Sequence, residues 1–566
     1  MNRFSTEQEI LNALEPIRNG SGPVLYEKNG VYYGLSADTE KHVLVSGATR
    51  SGKTSRSSIN MAFSVANSQN DSAIIVDSGR KDIYKAIAGY ALKRRTHKVY
   101  HLDLTTWESP DSYNPLLSIF SQLSDVNPSV QDQGYRNIEQ FGRILVADQG
   151  HDDHYWEESG AQFISGLLLC LYELATEDAE INLNSLQALC SEALRKVGGK
   201  TVLDGLLEIL PPESKAVPYL SMVADSASQT AGSIFSVAIS AINKLCIGDM
   251  IMDTFNDPAP SITLKALEHR PFMLFISLPE DGEAAIGVVV LAQLLNHFIQ
   301  LADTSKSGRL DNNLHIILEE IGVVGPYLKR DLPRYTSTCL GRNIRFTMIC
   351  QSTAQLDHIF GTEGTRVIRS NSGAHLYFAD YDFSACEQIS RMCGSYPLFT
   401  PDVPNGVIEA ARIRPENVRG LSVGEALIVC GKLIYVTKLP LYTRLFVPEM
   451  WETDPLPFHF REYAQTLHPL VLAEQKRKAD LDELQRQINE AHKAHMREYA
   501  KKHPPASEKP NLMDIPRGVE IAYRQRQIQT ICSKPEHTST TKPNPGLWAR
   551  AVQLFRNGTV RKEDTQ

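Results

Sequence analysis

The chain has 566 residues, 42% of them hydrophobic and 22% charged, with a formal net charge of -8. Those proportions exclude a wholly disordered chain, a collagen-like repeat and a small disulfide scaffold, and at about 150 residues per domain they leave room for three or four domains. The negative balance excludes nucleic-acid binding through bulk positive charge, so any such binding has to come from a local surface, a channel or a tail.

Nine scattered cysteines, with no C-x-x-C pair, read as reduced thiols of a cytosolic protein. The first residues show no apolar core of a signal peptide, and no uninterrupted apolar run reaches the roughly 18 residues of a membrane helix. The best candidate, Ala284 to Ala302, is broken by Gln293, Asn296, His297 and Gln300 and reads as a buried soluble helix.

Residues 1–20 predict a short helix ending at Asn19-Gly20. Val24 to Leu35 reads as a hairpin turning at Asn29-Gly30, a pair suited to a tight turn. His42 to Ser46 is a short buried strand running into a Gly-rich loop and then a helix from Thr54. Two further strands, Ser72 to Asp77 and Lys98 to Asp103, flank helical apolar spacing over 82–95. This alternation predicts an α/β fold, a mostly parallel sheet with helices on both faces.

After Tyr113-Asn114-Pro115-Leu116 the pattern changes. Residues 121–255 show helical periodicity with almost no strand signal, clearest over 163–175 and 233–245, and predict an inserted all-α domain. Strands then resume at 272–278, 314–320, 344–351 and 373–379, and 426–438 forms a hairpin around Gly431-Lys432. Residues 472–503 read as a long charged helix, and beyond His503-Pro504-Pro505 the chain is polar and predicted mostly disordered. From 471 to 566 there are 18 basic and 12 acidic residues, so this end carries +6 and the rest -14. The division expected is 1–21, 22–120, 121–255, 256–450 and 451–566: N-terminal segment, first half of the α/β domain, all-α insert, second half, and helical and disordered tail.

Gly47-Ala48-Thr49-Arg50-Ser51-Gly52-Lys53-Thr54 fits G-x-x-x-x-G-K-[ST] between a predicted strand and a predicted helix. A loop that wraps phosphates must donate successive backbone N–H groups, which glycine permits. Lys53 supplies a cation to the β/γ-phosphates, and Thr54 offers its hydroxyl to Mg²⁺. Ser55 follows on the helix whose positive end faces the anion. The site expected is for ATP and Mg²⁺. An acid-tipped strand is then required, and Leu314 to Glu320 supplies one: Glu319 for the Mg²⁺ shell and Glu320 to polarise water. Gln351, ending the next strand, is placed to sense the γ-phosphate. Arg342, just before that strand, is the candidate to complete a neighbouring subunit's site, with Arg345 and Arg366 as rivals.

Further pieces follow in a fixed order: the Tyr32–Gly34 turn, His42, Asp77, Tyr113-Asn114-Pro115-Leu116, Tyr155-Trp156, and Glu319-Glu320 with Gly325. Then come Cys350-Gln351-Ser352, Ala354-Gln355-Leu356, Asn371, Ser390 to Gly394 and Pro397-Leu398. With the phosphate loop, this series resembles the type IV secretion coupling proteins, over roughly residues 22–445. The resemblance implies a RecA-like P-loop NTPase domain carrying the all-α insert, and a homo-hexameric ring with ATP sites between subunits. It implies cargo received by the insert: a relaxase or relaxosome with single-stranded DNA, or protein, delivered to a type IV secretion channel. A DNA channel needs only local basic and aromatic groups, which reconciles it with the net charge.

Two departures stand out. The family usually has Asp-Glu where this chain has Glu319-Glu320, which carries the charge one methylene further out. Members usually begin with membrane helices, and the expectation here is a cytoplasmic protein held at the inner face of the membrane by a separate anchor protein. Two other functions fit the motifs: a chromosomal DNA translocase of the same superfamily, and a nucleotide-binding cargo adaptor with weak hydrolysis. Lesser signals are weighed as structural. His151-Asp152-Asp153-His154 has no further ligand at metal spacing and reads as a helix start or loop. Cys386 and Cys393 read as idle thiols. The cluster Trp548, Leu554 and Phe555 reads either as a binding motif or as a loose terminal helix.

Overall fold

The computed structural model describes residues 4–17, 22–35, 41–105, 109–147, 154–246, 249–269, 271–279, 284–399, 407–448, 455–457, 459, 461–462 and 464–502. The chain divides into two compact units, one of residues 1–195 and 202–479, the other of 196–201 and 480–566.

The first unit is built on nine strands: β1 (His42–Ser46), β2 (Ser72–Asp77), β3 (Lys98–Asp103), β4 (Phe272–Ser277), β5 (Leu314–Leu318), β6 (Ile344–Cys350), β7 (Ser372–Tyr377), β8 (Glu425–Cys430) and β9 (Leu433–Lys438). Their order is β9-β8-β7-β1-β6-β5-β2-β4-β3. The run from β7 to β3 is parallel, and β8 and β9 add an antiparallel edge hairpin. Strands β1, β4, β5 and β6 are buried along their whole length, which is why they read as continuous apolar runs rather than alternations. Register brings the carboxyl ends level: Leu318 pairs with Val76 on one side and Met348 on the other, and Cys350 pairs with Ser46. The helix after the phosphate loop is one π turn, Thr54–Ser58, continuing as α1 (Ile59–Asn67). Helix α2 (Asp82–Arg94) follows β2 and packs on α1.

Between β3 and β4 the described residues form helices and one hairpin of two-residue strands: α3 (Pro115–Leu123), α4 (Pro128–Val146), α5 (His154–Leu174), α6 (Leu183–Glu192), α7 (Val202–Ile209), α8 (Ala216–Ala224), α9 (Ser228–Leu245), α10 (Asp249–Asn256) and a short helix at Leu264–Glu268. Asn114 starts this region. Its Oδ1 caps α3 by accepting from the Leu116 and Leu117 N–H groups at 3.0 and 3.1 Å. Its Nδ2 donates to the carbonyls of Ile181 at 2.8 Å and Asp257 at 3.3 Å, tying the start of the segment to its middle and end. Tyr113 is fully buried and donates its hydroxyl to Gln293 Oε1 at 2.9 Å.

Gln293 lies on α11 (Ala284–Thr304), which follows β4. It is the one helix among the described residues long and apolar enough to cross a membrane, and 78% of its apolar window is buried in the protein. Helices α12 (Asp331–Thr338), α13 (Thr353–Asn371) and α14 (Phe383–Cys393) complete the α/β part. The second unit holds the Lys196–Val197 and Lys200–Thr201 hairpin, turning at Gly198 and Gly199 with φ of 61° and 91°. It also takes the residues from Asp480 onward of α15 (Pro469–Lys502).

The N-terminal helix departs from expectation. It spans Glu7–Ala13, closed by a Thr6/Glu9 capping box, and Glu15–Pro16 then pairs with Val31–Gly34 as a strand, so the helix ends earlier than the sequence suggests. Asn19-Gly20 lies outside the described residues. Ser395–Phe399 and Val407–Ala411 form a second unexpected hairpin. His151 to Asp153 and the cluster at Trp548, Leu554 and Phe555 also lie outside.

Candidate nucleotide-binding site

The site lies at the carboxyl ends of β1, β2, β5 and β6, where the parallel sheet leaves a crevice. The loop after β1 is held from several sides. The Ala48 N–H donates to the Ala379 carbonyl at 2.8 Å, and the Gly424 N–H donates to the Ser51 carbonyl at 2.9 Å. Gly47 has φ 155°, and a Cβ there would come within 2.7 Å of Phe378 Cβ. Gly52 has φ 102° and lies against Gly424.

Lys53 bends back over this loop and donates to the carbonyls of Gly47 and, at 3.0 Å, Ala48. Burial pushes its ammonium pKa down, opposed by Cys350, Glu320, Glu319 and Asp380. Thr54 Oγ1 donates to Glu319 Oε1. Glu319 is 7% exposed, and its Oε2 has no hydrogen-bond partner. Burial pushes its carboxyl up to about 8, against the opposing Ser58 and Thr54 hydroxyls. Glu320 is half-buried. Its Oε1 accepts from the Gly322 N–H at 3.1 Å and Gln355 Nε2 at 3.3 Å, and its Oε2 accepts from Gln351 Nε2 at 3.3 Å.

Asp77 caps the next element. It accepts N–H bonds from Ser78, Ile83 and Tyr84, each at 2.9 Å, anchoring the start of α2. Burial pushes its carboxyl up to about 7 while those donors pull it down.

The residues present fit a nucleotide phosphate with a divalent cation. The orphaned oxygen of Glu319, beside a threonine hydroxyl, is a hard oxygen donor set. Lys53 is lodged on neutral carbonyls, and among the described residues no carboxylate is hydrogen-bonded to it. A cleft of about 910 Å³ brings together Thr49, Arg50, Gly52, Lys53, Thr54, Ser55, Glu319, Glu320 and Gln351. Gly47, Ala48 and Ser51 form the loop's underside and do not line that cleft.

Arg342 does not join the site within one chain. It sits before β6, at the end away from Gln351, and its guanidinium donates to Asp303 at 2.6 and 3.1 Å and to the Thr338 carbonyl at 2.7 Å. Arg345 is 8% exposed and bonds Asn313, while Arg366 is an exposed partner of Glu363 on its own helix.

Sequence reasoning missed Asp380 and the segment that closes the cleft opposite β2. Asp380 is buried beside the loop, and burial raises its carboxyl pKa. It carries the same signal as Glu319, an apolar strand ending in an acid. Val423, Tyr442 and Pro448 carry no such signal, because only tertiary approach brings them to the cleft.

Loop, acids and parallel sheet together define a RecA-like P-loop fold. A family model described as type IV secretory system conjugative DNA transfer matches residues 4–399. The chain belongs to that family. Among solved structures it is similar to the plasmid coupling protein TrwB in complex with the ATP analogue ADPNP, at 15% identity and TM-score 0.59, over 81% of this chain and 97% of that one. A second TrwB structure, in complex with ADP and Mg²⁺, gives 14% identity and TM-score 0.58 over 81% and 96%. Identities this low bear on the fold alone. No curated protein matches the chain in sequence.

Proposed function

We propose that the chain is an ATP-driven coupling protein that recruits substrate and feeds it to a type IV secretion or conjugation channel. The observation that carries this reading is the meeting of Lys53, Thr54, Glu319, Glu320 and Gln351 in one cleft of a chain belonging to a conjugative DNA transfer family. TrwB structures hold ADPNP in one case and ADP with Mg²⁺ in another, and we assign the same ligand class here.

Gly47 to Ser55 hold the phosphates, with Lys53 leaving its carbonyl partners for the β- and γ-phosphates. Thr54 and Glu319 hold the cation, which when bound neutralises charge developing on the transferring phosphoryl group. Glu320, steadied by Gln355, orients the attacking water. Gln351 touches the same carboxylate, so loss of the γ-phosphate changes its hydrogen bonding and is passed to β6 and the start of α13. In a hexameric ring an arginine from a neighbour completes the site. Arg342 holds that role if Asp303 releases it; buried Arg345 is poorly placed for it.

The cargo is a relaxase with single-stranded DNA, received by the helical region between β3 and β4, and a separate membrane protein holds the ring at the inner face of the membrane. The family model favours this over a chromosomal translocase. The Glu319 carboxylate, in direct contact with Thr54, keeps a weakly hydrolysing adaptor as the second reading.

Lys53→Ala tests the motor directly. The variant keeps its circular-dichroism spectrum and loses ATP turnover and cargo transfer. Transfer at the native rate by that variant contradicts the proposal.

A further inference from the structure

The cleft is lined by more than the phosphate loop and its acids, and one wall has a chemistry of its own. Beyond Ser55 it is closed by Val423, Tyr442 and Pro448, residues from the loops before β8 and after β9. These loops are fastened to the phosphate loop and its helix. The Gly424 N–H donates to the Ser51 carbonyl at 2.9 Å, and Arg56 donates to the Leu439 carbonyl. Asn60, fully buried, donates through Nδ2 to the carbonyls of Arg56 at 2.8 Å and Pro440 at 2.9 Å. Gly424, at φ 86°, lies so close to Arg56 that an added Cβ would come within 2.2 Å of Nε. Wall and phosphate loop therefore hold a fixed spacing.

Tyr442 is supported from behind. Its ring lies 5.8 Å from Phe446, which is stacked on Phe63 at 5.0 Å with 4° between planes and packs against Tyr90 at 5.3 Å. Tyr442 is thus the outermost ring of an aromatic cluster, half-buried and lining the cleft. A ring ordered in advance costs little entropy on binding.

We infer that Tyr442 is the stacking platform for the base of the bound nucleotide, with Val423 and Pro448 as its apolar border. Stacking of this kind favours a purine and reads the base by its face, so adenine and guanine are accepted alike. The inference rests on the nucleotide reading of the site and deepens it.

Isothermal titration of Tyr442→Ala and Tyr442→Phe against Mg·ATP, Mg·GTP and magnesium tripolyphosphate separates the two. Tripolyphosphate carries the phosphates without ribose or base. Tyr442→Ala weakens ATP and GTP by about tenfold, leaves tripolyphosphate unchanged, and Tyr442→Phe retains native affinity for all three. Native ATP affinity in Tyr442→Ala overturns the platform while the phosphate site stands. Equal losses for ATP and tripolyphosphate overturn it too, because the residue then supports the loop rather than the base. Failure of the native chain to bind either ligand sinks the nucleotide reading itself.

Discussion

His42 opens the strand that leads into the phosphate loop and has no contact with water. Its Nε2–H donates to the Thr336 carbonyl at 3.0 Å, and its Nδ1 accepts from the Phe346 N–H at 3.0 Å. A second proton would have to enter at Nδ1, facing an N–H. Burial pushes the pKa down to about 4, and Arg345 adds to the effect. The unfolded chain takes up that proton near pH 6.5 and the folded one does not, so stability is fully present above pH 6.5 and is lost as pH falls toward 4. A shift of this size is worth about 3 kcal/mol. Urea unfolding at pH 7.5 and 4.5 therefore shows a larger fall for the native chain than for His42→Gln; parallel falls contradict the assignment. At this scale the sequence was legible where spacing alone defines chemistry. Gly47 to Thr54 declare themselves because the loop is local. Asp380 carried the same strand-end signal as Glu319 and was passed over, whereas Tyr442 carries none, since it reaches the cleft only through tertiary approach.

Helix α11 shows how an element hides its purpose in sequence. Gln293, Asn296 and His297 read as interruptions of an apolar run, yet each is anchored by a partner from another element. Asn296 Nδ2 donates to Asn137 Oδ1 at 2.8 Å and Gln140 Oε1 at 2.6 Å, and its Oδ1 accepts from the Tyr335 hydroxyl at 3.0 Å. Gln140 in turn donates to Asp331 at 2.8 Å. This buried network joins α4 of the helical region to α12. Asn296→Leu keeps the branching of the side chain but strands several polar groups, at about 3 kcal/mol, and thermal unfolding measures the loss; an unchanged Tm contradicts the network's role. Strands buried on both faces were readable as apolar runs. The Ser395–Phe399 hairpin was not, because it is short and contains Pro397. The early end of the N-terminal helix also escaped notice, since Glu15–Pro16 becomes a strand only by pairing with Val31–Gly34.

At the scale of the molecule, alternating apolar strands and helices made the α/β architecture legible and the ordered series of motifs the family, because Gly47 to Thr54, Asp77, Glu319-Glu320 and Gln351 all close or follow the carboxyl ends of strands in one sheet. Strand order was not legible, since β1 lies between β6 and β7 through crossovers that leave no local trace. The charge distribution, -14 outside the last hundred residues and +6 within them, leaves only local surfaces for the DNA handling proposed above. A motor that pulls DNA spends nucleotide faster when DNA is present. Steady-state ATP hydrolysis by the purified chain, with and without single-stranded DNA and beside Lys53→Ala, tests that claim most directly. The account predicts Mg²⁺-dependent turnover that single-stranded DNA raises severalfold and that Lys53→Ala abolishes. Turnover indifferent to DNA, or surviving in Lys53→Ala, would contradict it.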